Sequence, residues 1–203
     1  MKPYGTLTLT ASSPAQIFDE PLTLARSKEY LRVNQALEDD LIESMIVAAR
    51  SVAEIERGED IVVKQWDYAL DAFLSPEIHL RHPLQSVDLV KYTDADGVEV
   101  TLTETTDYVV DLARAVLMPV PGGAWPSFDP WPSSAVLIRY TSGYPATDAF
   151  WADAGKMVVQ GMLMLITLWY DERMPMSTST SNIQELPYTV TALFGYGSHK
   201  AVF

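Results

Sequence analysis

Ile55-Glu56-Arg57-Gly58-Glu59-Asp60-Ile61-Val62-Val63-Lys64-Gln65-Trp66-Asp67-Tyr68 is the stretch across which the chain changes its period. Upstream of Gly58, from Leu37 to Arg57, the residues Leu41, Ile42, Met45, Ile46, Ala49, Val52, Ala53 and Glu56 recur at spacings of three and four, which predicts a helix. Glu38, Asp39 and Asp40 fall in its first turn, where the helix dipole favours negative charge, and Gly58 is a natural stop. From Ile61 onward the period is two. That switch predicts strands over 61–73, 87–92, 98–102, 108–112, 115–118 and 135–140.

The flanks extend the pattern. Thr23 reads as the N-cap of a short helix ending before Asn34. Asp94-Ala95-Asp96-Gly97, between two alternating runs, reads as a hairpin turn. Residues 119–132 hold five prolines and two glycines, so they form a long loop, and it carries Trp125 and Trp131. Beyond Gly143-Tyr144-Pro145 the helical period returns over 152–173, the most apolar helix of the chain. Residues 174–182 are low in complexity. A last helix, with Pro187 at its first position and Gly195 at its end, carries Val190, Leu193 and Phe194. Strands gathered in the middle with helices at both ends predict an α+β fold: an N-terminal helix pair, a small antiparallel sheet or sandwich, and C-terminal helices. The expected organisation is a flexible arm (1–21), one domain (22–195, with helices in 22–57, the β region in 61–142 and helices in 152–195) and a tail (196–203).

Composition narrows the function. The chain has 203 residues, 14 basic and 27 acidic, for a net charge of −13. Phosphate binding needs clustered Lys and Arg, so coating nucleic acid is disfavoured. The absence of cysteine excludes a disulfide scaffold, a thiolate metal site and a Cys nucleophile. Met1 to Thr10 lacks the apolar core of a secretory signal, and the run from Met157 to Tyr170 is too short to cross a bilayer. The protein is expected inside the cell or assembled from an intracellular pool, with no membrane partner.

Catalytic constellations are weak. His79 and His82 sit three apart on a predicted strand end, which points them to opposite faces, and no third ligand is near. Asp148, Asp153, Asp171 and Glu172 lie at the two ends of one helix, where capping or solvation explains them better than acid–base work. There is no nucleophile elbow, phosphate loop or zinc-helix motif. Ser133, Ser134 and the Ser177–Ser181 run have no histidine at a recognisable offset. No catalytic residue, metal or cofactor is expected.

A pattern of another kind runs through the chain. Thr23-Leu24-Ala25-Arg26-Ser27-Lys28-Glu29-Tyr30-Leu31-Arg32-Val33 followed by Glu38-Asp39-Asp40-Leu41-Ile42 resembles the head–tail connector (adaptor) family of tailed bacteriophages. Gln65-Trp66, Leu70-Asp71-Ala72-Phe73, Pro83-Leu84-Gln85-Ser86-Val87 and Val90 to Gly97 continue the similarity. So do Tyr108 to Asp111, Trp125-Pro126, Arg139 to Tyr144, Leu168 to Arg173, and Leu186-Pro187 with Val190 and Leu193. The blocks cover residues 22–197 in order. Two places depart: Phe150-Trp151-Ala152-Asp153 stands where the family usually has a Pro-Ile-like helix start, and the arm before Leu22 is longer.

The resemblance implies a non-enzymatic virion component of a phage, prophage or gene transfer agent. Such a subunit forms a ring of about twelve copies under the portal protein, extends the DNA channel without binding DNA specifically, and docks the next neck or tail-completion protein. It would reside in the particle neck, and in the host cytoplasm before assembly. Expected partner contacts are Trp125, Trp131, Tyr196, His199, Val202 and Phe203, with the tail reaching the portal. On this reading, deleting Tyr196–Phe203 leaves a folded subunit that no longer holds portal. The rival reading is a stand-alone β-rich module that binds carbohydrate or peptide through loop 119–132.

Overall fold

The computed structural model describes residues 5–9, 20–171 and 186–198. The chain divides into two compact units that interleave in sequence: Met1–Phe18 with Val63–Gly143, and Asp19–Val62 with Tyr144–Phe203. The mixed α+β class is as the period switch indicates. The chain leaves the helical unit after Val62 and returns to it at Tyr144.

The β unit contains eight strands: β1 (Gly5–Leu9), β2 (Lys64–Leu70), β3 (Ile78–His79), β4 (Leu84–Thr93), β5 (Glu99–Leu102), β6 (Tyr108–Asp111), β7 (Val116–Pro119) and β8 (Val136–Ser142). They make a five-stranded antiparallel sheet in the order β1-β2-β8-β4-β5 and a three-stranded one in the order β3-β7-β6. Central β8 alternates strictly: Val136, Ile138, Tyr140 and Ser142 are buried, with half-exposed residues between them. Leu70, Val90, Ile138 and Tyr140 of the larger sheet share one apolar core with Ile78, Tyr108 and Leu117 of the smaller. On the other face of β8, Arg139 lies opposite Asp67 of β2 and donates two hydrogen bonds to its carboxylate, at 2.7 and 2.9 Å. This fork-on-carboxylate geometry raises the guanidinium pKa, chiefly through the side-chain hydrogen bonds.

Three boundaries are corrected. The segment expected over 61–73 is a strand only from Lys64 to Leu70, because Ile61 and Val62 are buried in the helical unit. The expected arm contains a strand, β1, paired antiparallel along β2. The signal was present in Thr6-Leu7-Thr8: the threonines are exposed, while Leu7 packs on the core. The two-residue β3 was also missed; so short a strand has too few alternations to register.

The helical unit contains α1 (Leu24–Leu31), α2 (Asp39–Arg57), α3 (Ala154–Asp171) and α4 (Tyr188–Gly195). Thr23 caps α1 through its hydroxyl, which accepts from the Arg26 amide at 3.3 Å. Residues 36–38 form a 3-10 turn before α2, and Gly58 closes α2 in the left-handed conformation at φ 69°. Asp148 caps a second 3-10 turn (Ala149–Ala152) ahead of α3. Pro187 precedes α4 rather than opening it; its carbonyl accepts from Val190 and Thr191. Ile42, Ile46, Ala49 and Ala53 of α2 are buried, as are Val158, Met162, Leu165 and Ile166 of α3 and Val190 and Phe194 of α4. Gly161 lets α3 and α4 approach closely: a Cβ there would come within 2.6 Å of the Phe194 ring.

Candidate interaction surfaces

Loop 119–132 is the first place the sequence singles out. Its two tryptophans have different environments. Trp125 stacks on Phe73 (centroids 4.5 Å apart, planes 7° apart), and its indole N–H donates to the Ser75 carbonyl at 2.9 Å. Phe128 from the same loop lies against Tyr92 at 4.3 Å and meets Phe73 edge-on at 6.2 Å. The loop thus closes over one rim of the β unit with a four-ring cluster. Trp131 behaves otherwise: it is 45% exposed, beside the Asp94–Gly97 turn, where a Cβ on Gly97 would meet its ring at 3.5 Å. Gly97 holds φ 81° at that hairpin turn. With Trp125 engaged in its own unit, the loop offers a single open indole, so the aromatic platform of the binding-module reading is reduced to Trp131.

The second place lies in the helical unit, where sequence reasoning saw only a helix end. Arg57, the last residue of α2, is fully buried. Its guanidinium donates to Glu59 Oε2 at 2.8 and 3.2 Å, to the Phe194 and Tyr196 carbonyls at 2.8 Å each, and to the Gly197 carbonyl at 3.4 Å. It also lies over the Phe150 ring, 5.2 Å from the centroid. Glu59, equally buried, accepts a further bond from the Tyr144 hydroxyl at 3.2 Å, and Tyr144 stacks on Phe150 at 3.9 Å. Burial, and then the Glu59 charge, push the Tyr144 phenol up to about 12. A helix end leaves its last carbonyls without intrahelical partners. Here one buried arginine binds those at the end of α4 and holds the base from which the tail continues.

Arg57 has neighbours of the same kind one and two turns back. Arg50 and Glu54 are buried and paired at 2.9 Å; Arg50 also reaches both carboxylate oxygens of Glu20, and Glu54 accepts from the Ile61 amide at 3.0 Å. Period alone cannot show this, because Arg50, Glu54 and Arg57 interrupt an apolar stripe as solvent-facing residues would.

Of the six expected contact residues, Trp125, Trp131 and Tyr196 are described, the last with its ring half-exposed and its carbonyl held by Arg57. Trp125 and Trp131 fall in the β unit and Tyr196 in the helical unit. His199, Val202 and Phe203 lie outside the described residues, as do Glu172 and the Ser177–Ser181 run. Among the described residues no group of three or more His, Asp or Glu side chains could hold a metal ion. Asp148, one of the suspected carboxylates, accepts from the Phe150 amide at 2.8 Å, the capping role read for it. No helix among the described residues is long and apolar enough to cross a membrane.

Among the described residues, a β unit of two small antiparallel sheets lies in sequence between the halves of a helical unit, and that is the class to which these geometries belong. Its likeness among solved structures is to chains of gene transfer agent (GTA) particles. One, in the neck of the empty GTA particle with C6 symmetry, is 20% identical over 93% of each chain, with a TM-score of 0.68. Another, in the virion of the native particle, is 22% identical over 93% of this chain and 92% of that one, with a TM-score of 0.65. A third, in the neck of the native particle with C12 symmetry, is 20% identical over the same shares, with a TM-score of 0.66. No protein-family profile and no curated protein matches the chain. The fold is thus shared, over nearly the whole of both chains, with chains of GTA particles, two of them from particle necks.

Proposed function

We propose that this protein is a structural subunit of the neck of a phage-like or gene transfer agent particle. In this role it forms a ring, of about twelve copies, beneath the portal, extends the DNA channel and docks the next neck component. The carrying observation is the likeness of fold to neck chains over 93% of this sequence. The charge agrees: at −13 per copy, a ring repels the DNA that slides through it. No bond is made or broken in this function. The two units and the tail act as one connector module.

The tail, His199 to Phe203, is the portal-binding element on this reading, docking Val202 and Phe203 or adding a strand to a portal sheet. Arg57 changes how this is tested. Deleting Tyr196–Phe203 would strip two carbonyl partners from a buried guanidinium and unsettle the helical unit. The informative truncation removes only His199–Phe203. That variant is expected to keep the melting temperature of the full chain and to lose co-purification with portal at least tenfold. Retention of portal at full-length levels would remove the tail from the interface.

A further inference from the structure

The outward face of α2 is anomalous in so acidic a protein. At 100° per residue, Ile42, Ile46, Ala49 and Ala53 point inward, and a strip about 110° round the helix from them carries Leu41, Met45, Ala48, Val52 and Ile55, with Leu41, Ala48 and Ile55 exposed and Met45 and Val52 half-buried. Leu41 is 40% exposed and Ile55 78%, and Leu37 just before the helix is 90% exposed. The only hydroxyls on that face, of Ser44 and Ser51, donate to the helix's own Leu41 and Val47 carbonyls, at 2.7 and 2.9 Å. Between Leu41 and Ile55 the outer face carries no charge over about 21 Å of helix. Asp40 and Glu56, both acidic, border the uncharged sector. An uncharged apolar strip of this length with a polar rim is the mark of a protein contact.

The same unit carries a surface of opposite character. Tyr30 on α1 is 45% exposed, and its hydroxyl accepts from Gln160 of α3 at 3.4 Å, which joins the two helices into one patch. Arg26 lies one turn before Tyr30, and Lys156 one turn before Gln160, beside Met157 (37% exposed). Arg32, exposed at the end of α1, adds a third cation; Glu29 and Asp153 are the carboxylates nearby.

We infer that these two surfaces are the halves of one copy-to-copy contact. The acid-edged apolar face of α2 on one subunit seats against the Tyr30–Met157 patch, with its cations, on the next. The occupant is a second copy because the two surfaces complement each other in charge and both carry apolar centres. Built from different helices of one chain, they make a heterologous contact, which repeats head to tail and closes into a ring when the rotation allows. Ser44, Ala48 and Ser51, small and with no hydroxyl left to solvate outward, admit a close approach of the partner. The inference rests on the ring assembly proposed above and names the faces that build it.

The absence of native cysteine makes the test clean. Full-length protein bearing both Ala48→Cys and Tyr30→Cys is treated with a short bis-maleimide at concentrations where the unmodified chain is sized by native mass spectrometry. The expected result is a ladder of dimers, trimers and higher species from the double variant and little linkage in either single variant. Ala48→Arg, on an exposed position, is expected to weaken assembly at least tenfold with an unchanged circular dichroism spectrum and melting temperature. Oligomers of the unmodified chain with no ladder would overturn this contact and leave ring assembly standing. Dimers from Ala48→Cys alone, as abundant as those of the double variant, would show a two-fold contact and also overturn it. A chain that stays monomeric and unlinked at every concentration would overturn both.

Discussion

The two units handle their charged groups differently. In the β unit the aromatic rings of the long loop turn inward onto Phe73 and Tyr92, and charged pairs such as Arg139–Asp67 sit on the half-exposed face. In the helical unit, α2 buries Arg50, Glu54 and Arg57 and turns Leu41 and Ile55 outward. A monomer gains nothing from exposing large aliphatics while desolvating charges. Replacing a buried ion pair with apolar side chains is often neutral or stabilising, so such pairs are poor devices for stability alone. The contrast lies in the charges: among the described residues the helical unit buries Arg50, Glu54, Arg57, Glu59 and Asp60 and the β unit only Lys64, whereas both units expose large apolar side chains, Leu74, Val98 and Leu112 in the β unit among them.

The largest expected effect tests the buried charges. Arg57→Met takes the guanidinium away from buried Glu59 and from the carbonyls of Phe194 and Tyr196. Breaking one side of a buried pair costs about 3–5 kcal/mol. Urea unfolding followed by far-ultraviolet circular dichroism should show a loss of that order, and adding Glu59→Gln should recover part of it. A loss below about 1 kcal/mol would mean that the tail base is held by packing alone, and the contrast between the units would weaken.

A smaller effect probes the β unit. Trp125→Ala removes a stacked ring and one indole hydrogen bond, for an expected loss of about 2–3 kcal/mol from a half-buried site. Trp131→Ala, at 45% exposure, should change stability by about 0.5 kcal/mol or less. Both chains should assemble as the unmodified protein does. If Trp131→Ala blocks assembly, the β unit also supplies a contact.

Much of this was legible in the sequence, for physical reasons. The switch of period at Gly58, the Thr23 cap, the Asp94–Gly97 hairpin and the alternation of β8 are local signals, set within a few residues of one another. The α+β class follows from them. Hidden were features whose cause lies far along the chain. Arg57 bonds to residues 137 and 139 positions away, and no spacing rule connects them. The apolar flank of α2 was hidden for a related reason. Leu41, Met45 and Val52 fall on the same three-and-four pattern as the buried Ile42 and Ile46, so periodicity merges a core stripe with an exposed one beside it. Strand β1 was readable from Thr6-Leu7-Thr8 but was masked by the Ser- and Pro-rich residues that follow it.

The narrowest effect, confined to a window of pH, concerns Tyr144. Its phenol is pushed up to about 12, first by burial and then by the Glu59 charge, against about 10 in an unfolded chain. Below about pH 10 the phenol is protonated in both states, and its full contribution to stability is present. As pH rises from about 10 to about 12 the unfolded chain ionises while the folded one does not, so that contribution is lost and then levels off. Tyr144→Phe keeps the stack on Phe150 and removes only the hydroxyl's bond to Glu59, about 1–2 kcal/mol at neutral pH. The stability gap between the two proteins should therefore narrow through this window. Tyr68 and Tyr108 of the β unit, also raised by burial, are present in both chains and cancel in the difference. A gap that stays constant from about pH 8 to about pH 12 would show that Tyr144 ionises as it does in water. The helical unit would then hold its buried cluster through Arg57 and Glu59 alone.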